Sequence, residues 1–130
     1  MIVLDASAAV EFLLGTPSGE RVGERIRLPG ETLHTPHLID IEVVSALRRW
    51  ARDGRMTTRR ADEALEDLRD LVLTRYPHDV LIPRIWELRS NASAYDAAYL
   101  ALAEGLDAPL VTCDRRIARI PGHRASVEPY

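Results

Sequence analysis

Hydrophobic positions in this chain occur in two arrangements, short continuous runs and longer stretches with helical spacing. The runs Met1–Leu4 and Pro109–Thr112 are mostly apolar, which is typical of strands that are covered on both faces of a sheet. Ile39, Val43 and Leu47 instead recur at every fourth position and mark one face of a helix. Because such strands and helices alternate, the pattern predicts an α/β fold with a central, mainly parallel sheet flanked by helices.

Glycine, proline and capping residues predict where these elements end. Gly15 and Pro17 should terminate the first helix, and Ser93 should cap a later helix that Gly105 stops. No repeat or linker interrupts the alternation, so residues 1–130 are expected to form one domain. The predicted strands cover residues 1–4, 32–35, 73–76, 109–112 and 125–127, and the predicted helices cover residues 6–14, 18–28, 39–52, 57–72, 80–89, 94–104 and 115–119.

The composition limits the classes of protein to which the chain can belong. Its 130 residues, of which 46% are hydrophobic, are enough to bury a core of ordinary size. The single cysteine, Cys113, excludes an internal disulfide framework. No apolar stretch is long enough to span a bilayer, and no basic, apolar leader precedes Asp5. We therefore expect a cytoplasmic protein that has no membrane partner.

All 17 basic residues are arginine, and the absence of lysine argues against several kinds of catalysis. A Schiff base, a phosphate-binding P-loop and the cation that pairs with a phosphoryl-aspartate each require lysine. Receiver and haloacid-phosphatase folds also place an aspartate after the first strand, but both need that lysine. In addition, Ser7 stands where the phosphatase motif has its second aspartate.

Four carboxylates lie at or beside the junctions between apolar runs and helical patterns: Asp5, Glu42, Asp96 and Asp114. In open parallel sheets, the carboxyl ends of the strands are where such junctions converge on a ligand. Carboxylates brought close together repel and raise one another's pKa values unless a cation lies between them. Since oxygen ligands favour Mg²⁺ or Mn²⁺ over zinc, the set predicts a hard divalent cation that acts on phosphate.

Each aspartate of this set also has a possible local role in helix capping. Asp5 and Asp114 could be N-caps, and Asp96 occupies the last position of a capping box that begins at Ser93. Glu42 has no such role, because it flanks an apolar stripe where an uncompensated carboxylate is costly. The joint occurrence of all four at successive junctions favours a shared site.

Four ordered segments of the chain carry a resemblance to a known family: MIVLDAS, PHLIDIEVVSAL, YDAAYLALA and LVTCD. They closely resemble the PIN-domain nucleases, and among these the VapC-type toxins of bacterial toxin–antitoxin pairs, over essentially the whole chain. The resemblance implies a PIN-like three-layer sandwich and an endoribonuclease that hydrolyses RNA phosphodiesters with a metal-activated water. It also implies Mg²⁺ or Mn²⁺ as cofactor, a small antitoxin as partner, and a homodimer.

The resemblance assigns roles to individual residues. Ser7 and Thr112 would be hydroxyl supports near the metal and the scissile phosphate. Many relatives have an asparagine just after the glutamate, where this chain has Val43, Val44 and Ser45, so the support of the glutamate is left open. The residues that would hold the ion and perform catalysis are Asp5, Glu42, Asp96 and Asp114.

Arginines near the acids are the candidates for RNA contact, since a protein of net charge −3 needs a local basic surface to bind nucleic acid. Arg115, Arg116 and Arg119 follow the fourth acid directly and are the preferred set. The arginines between residues 48 and 60 are equally consistent with RNA contact and with a solvated helix face balanced by nearby acids.

Two alternatives to a toxin stay open, a housekeeping PIN nuclease and a non-catalytic module that binds RNA or a partner. For protein partners, the candidate surface is formed by the helices over residues 39–50 and 57–72, with Trp50 as an anchor. Cys113 is expected to be a small core residue, with strand alternation directing it and Asp114 to opposite sides. His34 and His37 lack further nitrogen or sulfur partners and are expected to lie in a loop.

Overall fold

One parallel sheet organises the chain, and the computed structural model describes all residues from 1 to 130. The strands lie in the order third, second, first, fourth and fifth, and every neighbouring pair is parallel. The predicted α/β fold is therefore confirmed, and the sheet is wholly parallel. The strands are β1 (Ile2–Leu4), β2 (Leu33–Pro36), β3 (Leu73–Tyr76), β4 (Leu110–Thr112) and β5 (Val127–Pro129).

Helices occupy most of the chain between these strands. None of them has both the length and the apolar composition that crossing a membrane requires. Single 3₁₀ turns cover Asp79–Leu81 and Ile117–Arg119. The helices are α1 (Ala6–Leu14), α2 (Pro17–Ile26), α3 (Leu38–Arg52), α4 (Thr58–Asp70), α5 (Ile82–Glu87) and α6 (Ala94–Leu106).

Alternate side chains of the central strand enter two separate hydrophobic cores. Ile2 and Leu4 are fully buried in a core that they share with α1, α2, α3 and α4, whereas Val3 is fully buried against α6 on the other face. Val111 and Leu110 of β4 divide between the two cores in the same way. Because both faces of the sheet are covered, these strands are apolar at successive positions. The result is the expected three-layer sandwich.

The corner between α1 and α2 depends on small and capping residues. Gly15 closes α1 with a left-handed φ of 64°, and Thr16 caps α2 by accepting a hydrogen bond from the Gly19 backbone N–H at 3.0 Å. Pro17, which follows the end of α1, is also the first residue of α2. Proline is tolerated there because a backbone N–H in the first helical turn has no partner within the helix. A Cβ on Gly19 would lie 1.9 Å from the Glu11 carbonyl oxygen, so this close helix contact requires glycine.

Several predicted element boundaries were wrong by a few residues. α6 continues through Gly105 to Leu106, and its C-cap residue Asp107 adopts a left-handed φ of 49°. Glycine inside a helix costs only about 1 kcal/mol relative to alanine, and the buried face of α6 outweighs that cost. The helix predicted over residues 115–119 is only a 3₁₀ turn, and the last strand begins at Val127 rather than at residue 125.

The topology determines which residues meet at the carboxyl edge of the sheet. β1 lies where the strand order reverses, because its neighbours are β2 on one side and β4 on the other. Ligands of open α/β sheets bind beyond the strand ends at such a position. Asp5 follows β1 directly, and its backbone N–H donates to the Val111 carbonyl oxygen of β4 at 3.2 Å. Asp114, which comes shortly after β4, is therefore placed beside Asp5.

Candidate active site

A cavity of about 370 Å³ opens at this edge of the sheet, and all four predicted acids border it. We call it the acidic cavity. Its walls come from the start of α1, the inner face of α3, the start of α6 and the segment after β4. The residues that border it include Asp5, Ser7, Glu11, Glu42, Arg49, Trp50, Asp96, Tyr99, Cys113, Asp114 and Arg116.

Asp5 is the most deeply buried of the four acids, with 3% of its surface exposed. Its carboxylate caps α1 by accepting from the Ala8 backbone N–H at 2.8 Å, and it also accepts from Ser7 Oγ at 2.8 Å and Thr112 Oγ1 at 2.5 Å. Burial raises the pKa of Asp5 to about 6 in spite of these bonds, and the charge of Glu42 adds to the increase. Capping and cavity lining are therefore two roles of the same side chain.

The two predicted hydroxyl supports connect the start of α1 to the segment after β4. Ser7 Oγ lies 3.2 Å from Thr112 Oγ1 and accepts a hydrogen bond from the Cys113 backbone N–H at 2.9 Å. Thr112 Oγ1 accepts one from the Asp114 backbone N–H, also at 2.9 Å. Since both hydroxyls also donate to Asp5, they fix that carboxylate and the backbone that carries Asp114 in one network.

Glu42 receives its support from a residue that the sequence analysis did not identify. Tyr99 on α6 is almost fully buried, and its hydroxyl donates to Glu42 Oε2 at 2.6 Å. Burial and the charge of Asp96 raise the pKa of Glu42, while the Tyr99 bond partly opposes them. Burial and Glu42 also raise the pKa of Tyr99, so its hydroxyl stays a donor. The available signal was spacing, because Tyr99 lies three positions after Asp96 on the same helix face.

Asp96 and Asp114 border the cavity in different ways. Ser93 caps α6 by accepting from the Asp96 backbone N–H at 3.1 Å, but the reciprocal bond of a capping box, from the Ser93 N–H to the Asp96 carboxylate, does not form. Asp114 pairs with Arg116, whose guanidinium donates to both carboxylate oxygens at 2.6 to 3.1 Å. That bond and the Arg116 backbone N–H lower the pKa of Asp114.

The donor set of the acidic cavity fits a hard divalent cation in its chemistry. The ionisable acceptors are carboxylates, and two of them have pKa values raised by burial and by a neighbouring acid. No three acidic, histidine or cysteine side chains are close enough, as they stand, to hold one ion directly. Asp5, Glu42 and Asp114 are instead held by protein donors. Mg²⁺ usually binds one or two carboxylates and keeps several waters, so it does not require all four to converge.

The arginines around the cavity differ from the expected set. Arg116 borders it, but Arg115 and Arg119 do not. From the cluster between residues 48 and 60, Arg49 borders the cavity, together with the neighbouring Trp50. Other members of that cluster pair with acids on the surface, as Arg59 does with Glu63. Each of the two arginine clusters therefore contributes one residue to the border of the acidic cavity.

Two sequence expectations outside the acids were only partly correct. Cys113 packs against the hydrophobic core but is only partly buried, and it borders the cavity together with Asp114, because β4 ends at Thr112 and strand alternation no longer applies. Burial raises the pKa of its thiol to about 11, so it is not a thiolate nucleophile. His34 lies in β2, within the strand predicted over residues 32–35 and not in a loop, and it is held between the Tyr76 and Thr32 hydroxyls at 2.9 Å.

Comparison with known proteins agrees with this architecture. The PIN domain family model matches residues 2–123. Ribonuclease VapC12 of Mycobacterium tuberculosis is 43% identical over 128 residues, 98% of each chain, and Ribonuclease VapC9 of that organism is 47% identical over 118 residues, 91% of this chain and 89% of the relative. The crystal structure of VapBC2 from Rickettsia felis, bound to a fragment of promoter DNA, shares the fold with a TM-score of 0.72 at 16% identity, covering 100% of this chain and 99% of that chain. The chain therefore belongs to the PIN-domain family, among the VapC ribonucleases.

Proposed function

We propose that this protein is a Mg²⁺-dependent endoribonuclease and the toxin of a toxin–antitoxin pair, with residues 1–130 acting as one PIN domain in the cytoplasm. Mn²⁺ would be an alternative cofactor. The observation that carries the proposal is the convergence of four carboxylates on one cavity, without arginine partners for Asp5, Glu42 and Asp96. The VapC relatives, which are named as ribonucleases, support RNA as the substrate.

The proposed site would use its acids to hold the cation. Asp5 and Asp96 are the proposed direct ligands, and Glu42 and Asp114 complete the set directly or through water. When bound, the cation would lower the pKa of water and screen the phosphodiester charge. Ser7 and Thr112 keep Asp5 oriented, and Tyr99 does the same for Glu42.

Arginine side chains at the cavity would neutralise the phosphate groups of the substrate. The Arg116 side chain is 89% exposed although it pairs with Asp114, so its remaining donors can reach a phosphate oxygen. Arg49 also borders the cavity and forms no salt bridge. We propose that these two residues contact the RNA backbone, and that Arg115 and Arg119 contribute at longer range.

Metal dependence is the first experimental test of this function. Purified protein should cleave RNA in Mg²⁺ or Mn²⁺ and lose that activity in excess EDTA, with recovery when the cation is restored. Isothermal titration with Mn²⁺ in the absence of RNA should show binding by wild type and weak or no binding by D96N, because a ligand is lost. Undiminished cleavage in EDTA by carefully purified protein would contradict the proposal.

The proposed protein partners are a small antitoxin and a second copy of the chain. The structural neighbour from Rickettsia felis is a VapBC complex, which supports an antitoxin as partner. On the candidate surface, α3 exposes Ile41 (68%) and Val44 (44%), whereas the apolar residues Ala64 and Leu68 of α4 are buried. We therefore propose α3 as the main part of the surface that contacts protein partners.

Co-expression tests the toxin assignment. The chain expressed alone should arrest growth, and the product of the adjacent gene should restore growth and form a complex without ribonuclease activity. Light scattering of the purified chain should report a dimer that I41D reduces. A chain that cleaves RNA, is harmless when expressed and binds no adjacent gene product would instead be a housekeeping nuclease. A chain that binds RNA without cleaving it would be a binding module.

A further inference from the structure

Trp50 is a large aromatic side chain at the mouth of the acidic cavity that the proposed chemistry does not use. It lies near the end of α3, about two helical turns after Glu42, and it is partly exposed. The only other tryptophan, Trp86, lies on α5 and does not border this cavity. Trp50 is thus the one indole that the fold brings to the carboxylates.

The end of α3 holds this indole in place. Gly54 adopts a left-handed φ of 71°, which lets the Arg55 N–H donate to the Trp50 carbonyl at 2.9 Å and the Gly54 N–H donate to the Ala51 carbonyl at 3.2 Å. This is the bond pattern of a Schellman motif. It folds Arg55 back so that its guanidinium carbon lies 3.8 Å from the centre of the Trp50 ring. Arg55 lies over the ring and does not border the cavity, whereas Trp50 does.

An indole held in this way is suited to one kind of substrate contact. Nucleobases stack on aromatic side chains, and the contact tolerates every base because each has a π-face. The guanidinium of Arg55 restrains the ring before the base arrives, which reduces the ordering cost of binding. Arg49, one position earlier, borders the same cavity and forms no salt bridge, so it is free to contact a phosphate next to the stacked base.

We propose that Trp50 is the stacking platform for one unpaired nucleobase of the RNA next to the scissile phosphate, with Arg49 on the adjoining backbone. The inference rests on the proposed ribonuclease function and assigns to it a residue that positions the substrate. A base inside a duplex is stacked on both sides, so it cannot occupy the platform without leaving the helix. The favoured substrate is therefore a single-stranded segment or loop, and the site is insensitive to the identity of the stacked base.

Fluorescence of single-tryptophan proteins tests the contact without cleavage. The W86F/D96N protein retains only Trp50, and the W50F/D96N protein retains only Trp86. Trp86 is a matched control, because Arg89 lies 4.7 Å from the centre of its ring and it is 66% exposed. A short single-stranded oligoadenylate should change the Trp50 emission in a saturable way and leave the Trp86 emission unchanged, and its duplex with oligouridylate should bind Trp50 several-fold more weakly. No change at Trp50, or equal changes at both residues or with both RNAs, would overturn the inference.

Cleavage kinetics of the metal-loaded protein provide the second test. W50A should raise KM by about ten-fold, W50F should restore most of that loss because a phenyl ring also stacks, and W86A should match wild type. An RNA that wild type cleaves should become resistant when it is annealed to its full complement. Equal KM values for W50A and wild type would refute the platform while leaving the nuclease assignment intact. Absence of cleavage by wild type would refute the nuclease assignment, and the fluorescence result would still decide the platform.

Discussion

Two buried carboxylates at opposite ends of the sheet have opposite electrostatic environments. The Glu104 side chain is 6% exposed and accepts hydrogen bonds from Arg84 at 2.7 and 3.1 Å and from the Arg124 backbone N–H at 2.7 Å. Burial alone would raise its pKa, but these bonds lower it. Asp5 is more deeply buried, among hydroxyls and a backbone N–H, and its pKa is raised to about 6.

Arginine pairing distinguishes Glu104 from the acids of the acidic cavity. The chain has 17 arginines and places two of them around Glu104, yet none forms a salt bridge with Asp5, Glu42 or Asp96. Arginine neutralises one buried acid in this fold, while the cluster of cavity acids has no such partner, as the proposed binding of an external cation requires. Glu104 is therefore a structural acid, whereas the environment of the cavity acids supports the proposed metal site.

The largest expected effect is the loss of cleavage when a cavity acid becomes an amide. D5N and D96N should each lower cleavage by about a hundred-fold or more, because each removes a proposed metal ligand. D114N should keep residual activity, since the fourth acid can act through water. Initial rates of RNA cleavage measure this. D62N, an exposed change on α4, is the control, and full activity in D5N or D96N would place the site elsewhere.

Substitution of Glu104, at the other end of the sheet, should lower the stability of the protein without lowering its cleavage activity. E104Q should lower the free energy of unfolding by about 2 kcal/mol, because a buried, charge-assisted pair with Arg84 is lost. E87Q removes the other acid on the same arginine, but that acid is 64% exposed, so the change should be within about 0.5 kcal/mol. Urea unfolding measures both variants. Equal effects of E104Q and E87Q would show that burial does not strengthen the ion pair between Glu104 and Arg84.

The two sites should also differ in the pH dependence of stability. The raised pKa of Asp5 means that its protonated form favours folding, so this contribution is fully present below about pH 4 and is lost as pH rises through about 6. Metal-free wild type should therefore lose about 1 to 2 kcal/mol relative to D5N between pH 4 and pH 7. The lowered pKa of Glu104 means that its contribution to stability is lost as pH falls. That contribution is the same in wild type and in D5N, so it cancels in the comparison. Parallel pH profiles in urea unfolding would contradict the raised pKa.

Removing the support of Glu42 should have a smaller effect than removing an acid. Y99F deletes the hydroxyl that donates to Glu42, so cleavage and Mn²⁺ affinity should each fall by about ten-fold. Y95F is the control, because Tyr95 is 60% exposed and lies beside Asp96. Cleavage assays and calorimetry with Mn²⁺ provide two independent measurements. If Y99F matches wild type in both cleavage and Mn²⁺ affinity, Tyr99 is a packing residue only.

The smallest expected effect concerns the melting temperature of the metal-free protein. D96N should raise it by a few degrees at neutral pH, because one member of a repulsive cluster is neutralised. Mg²⁺ should then stabilise wild type more than D96N, since it binds the folded state through that carboxylate. Thermal melts with and without Mg²⁺ measure both effects. A lower melting temperature for metal-free D96N would favour helix capping as the main role of Asp96.

Local sequence was sufficient to predict most elements and the location of the acids. Continuous apolar runs predicted the strands because the sheet is covered on both faces, and Ser93 caps α6 as expected. Asp5 and Asp114 could be placed near each other because they follow parallel strands. These predictions succeeded because periodicity and capping depend on neighbours in sequence.

The tertiary structure alone decided how the acids are surrounded. Tyr99 reaches Glu42 across 57 positions of sequence, and Thr112 reaches Asp5 across 107, so no local pattern reports either bond. The same is true of Trp50, which local capping fixes against Arg55 but which only the packing of α3 brings to the cavity. The sequence by itself determined which residues could bind a cation. Side-chain contacts between distant elements decided which of them are buried, supported or paired with arginine, because burial and Coulomb energies depend on distance in space.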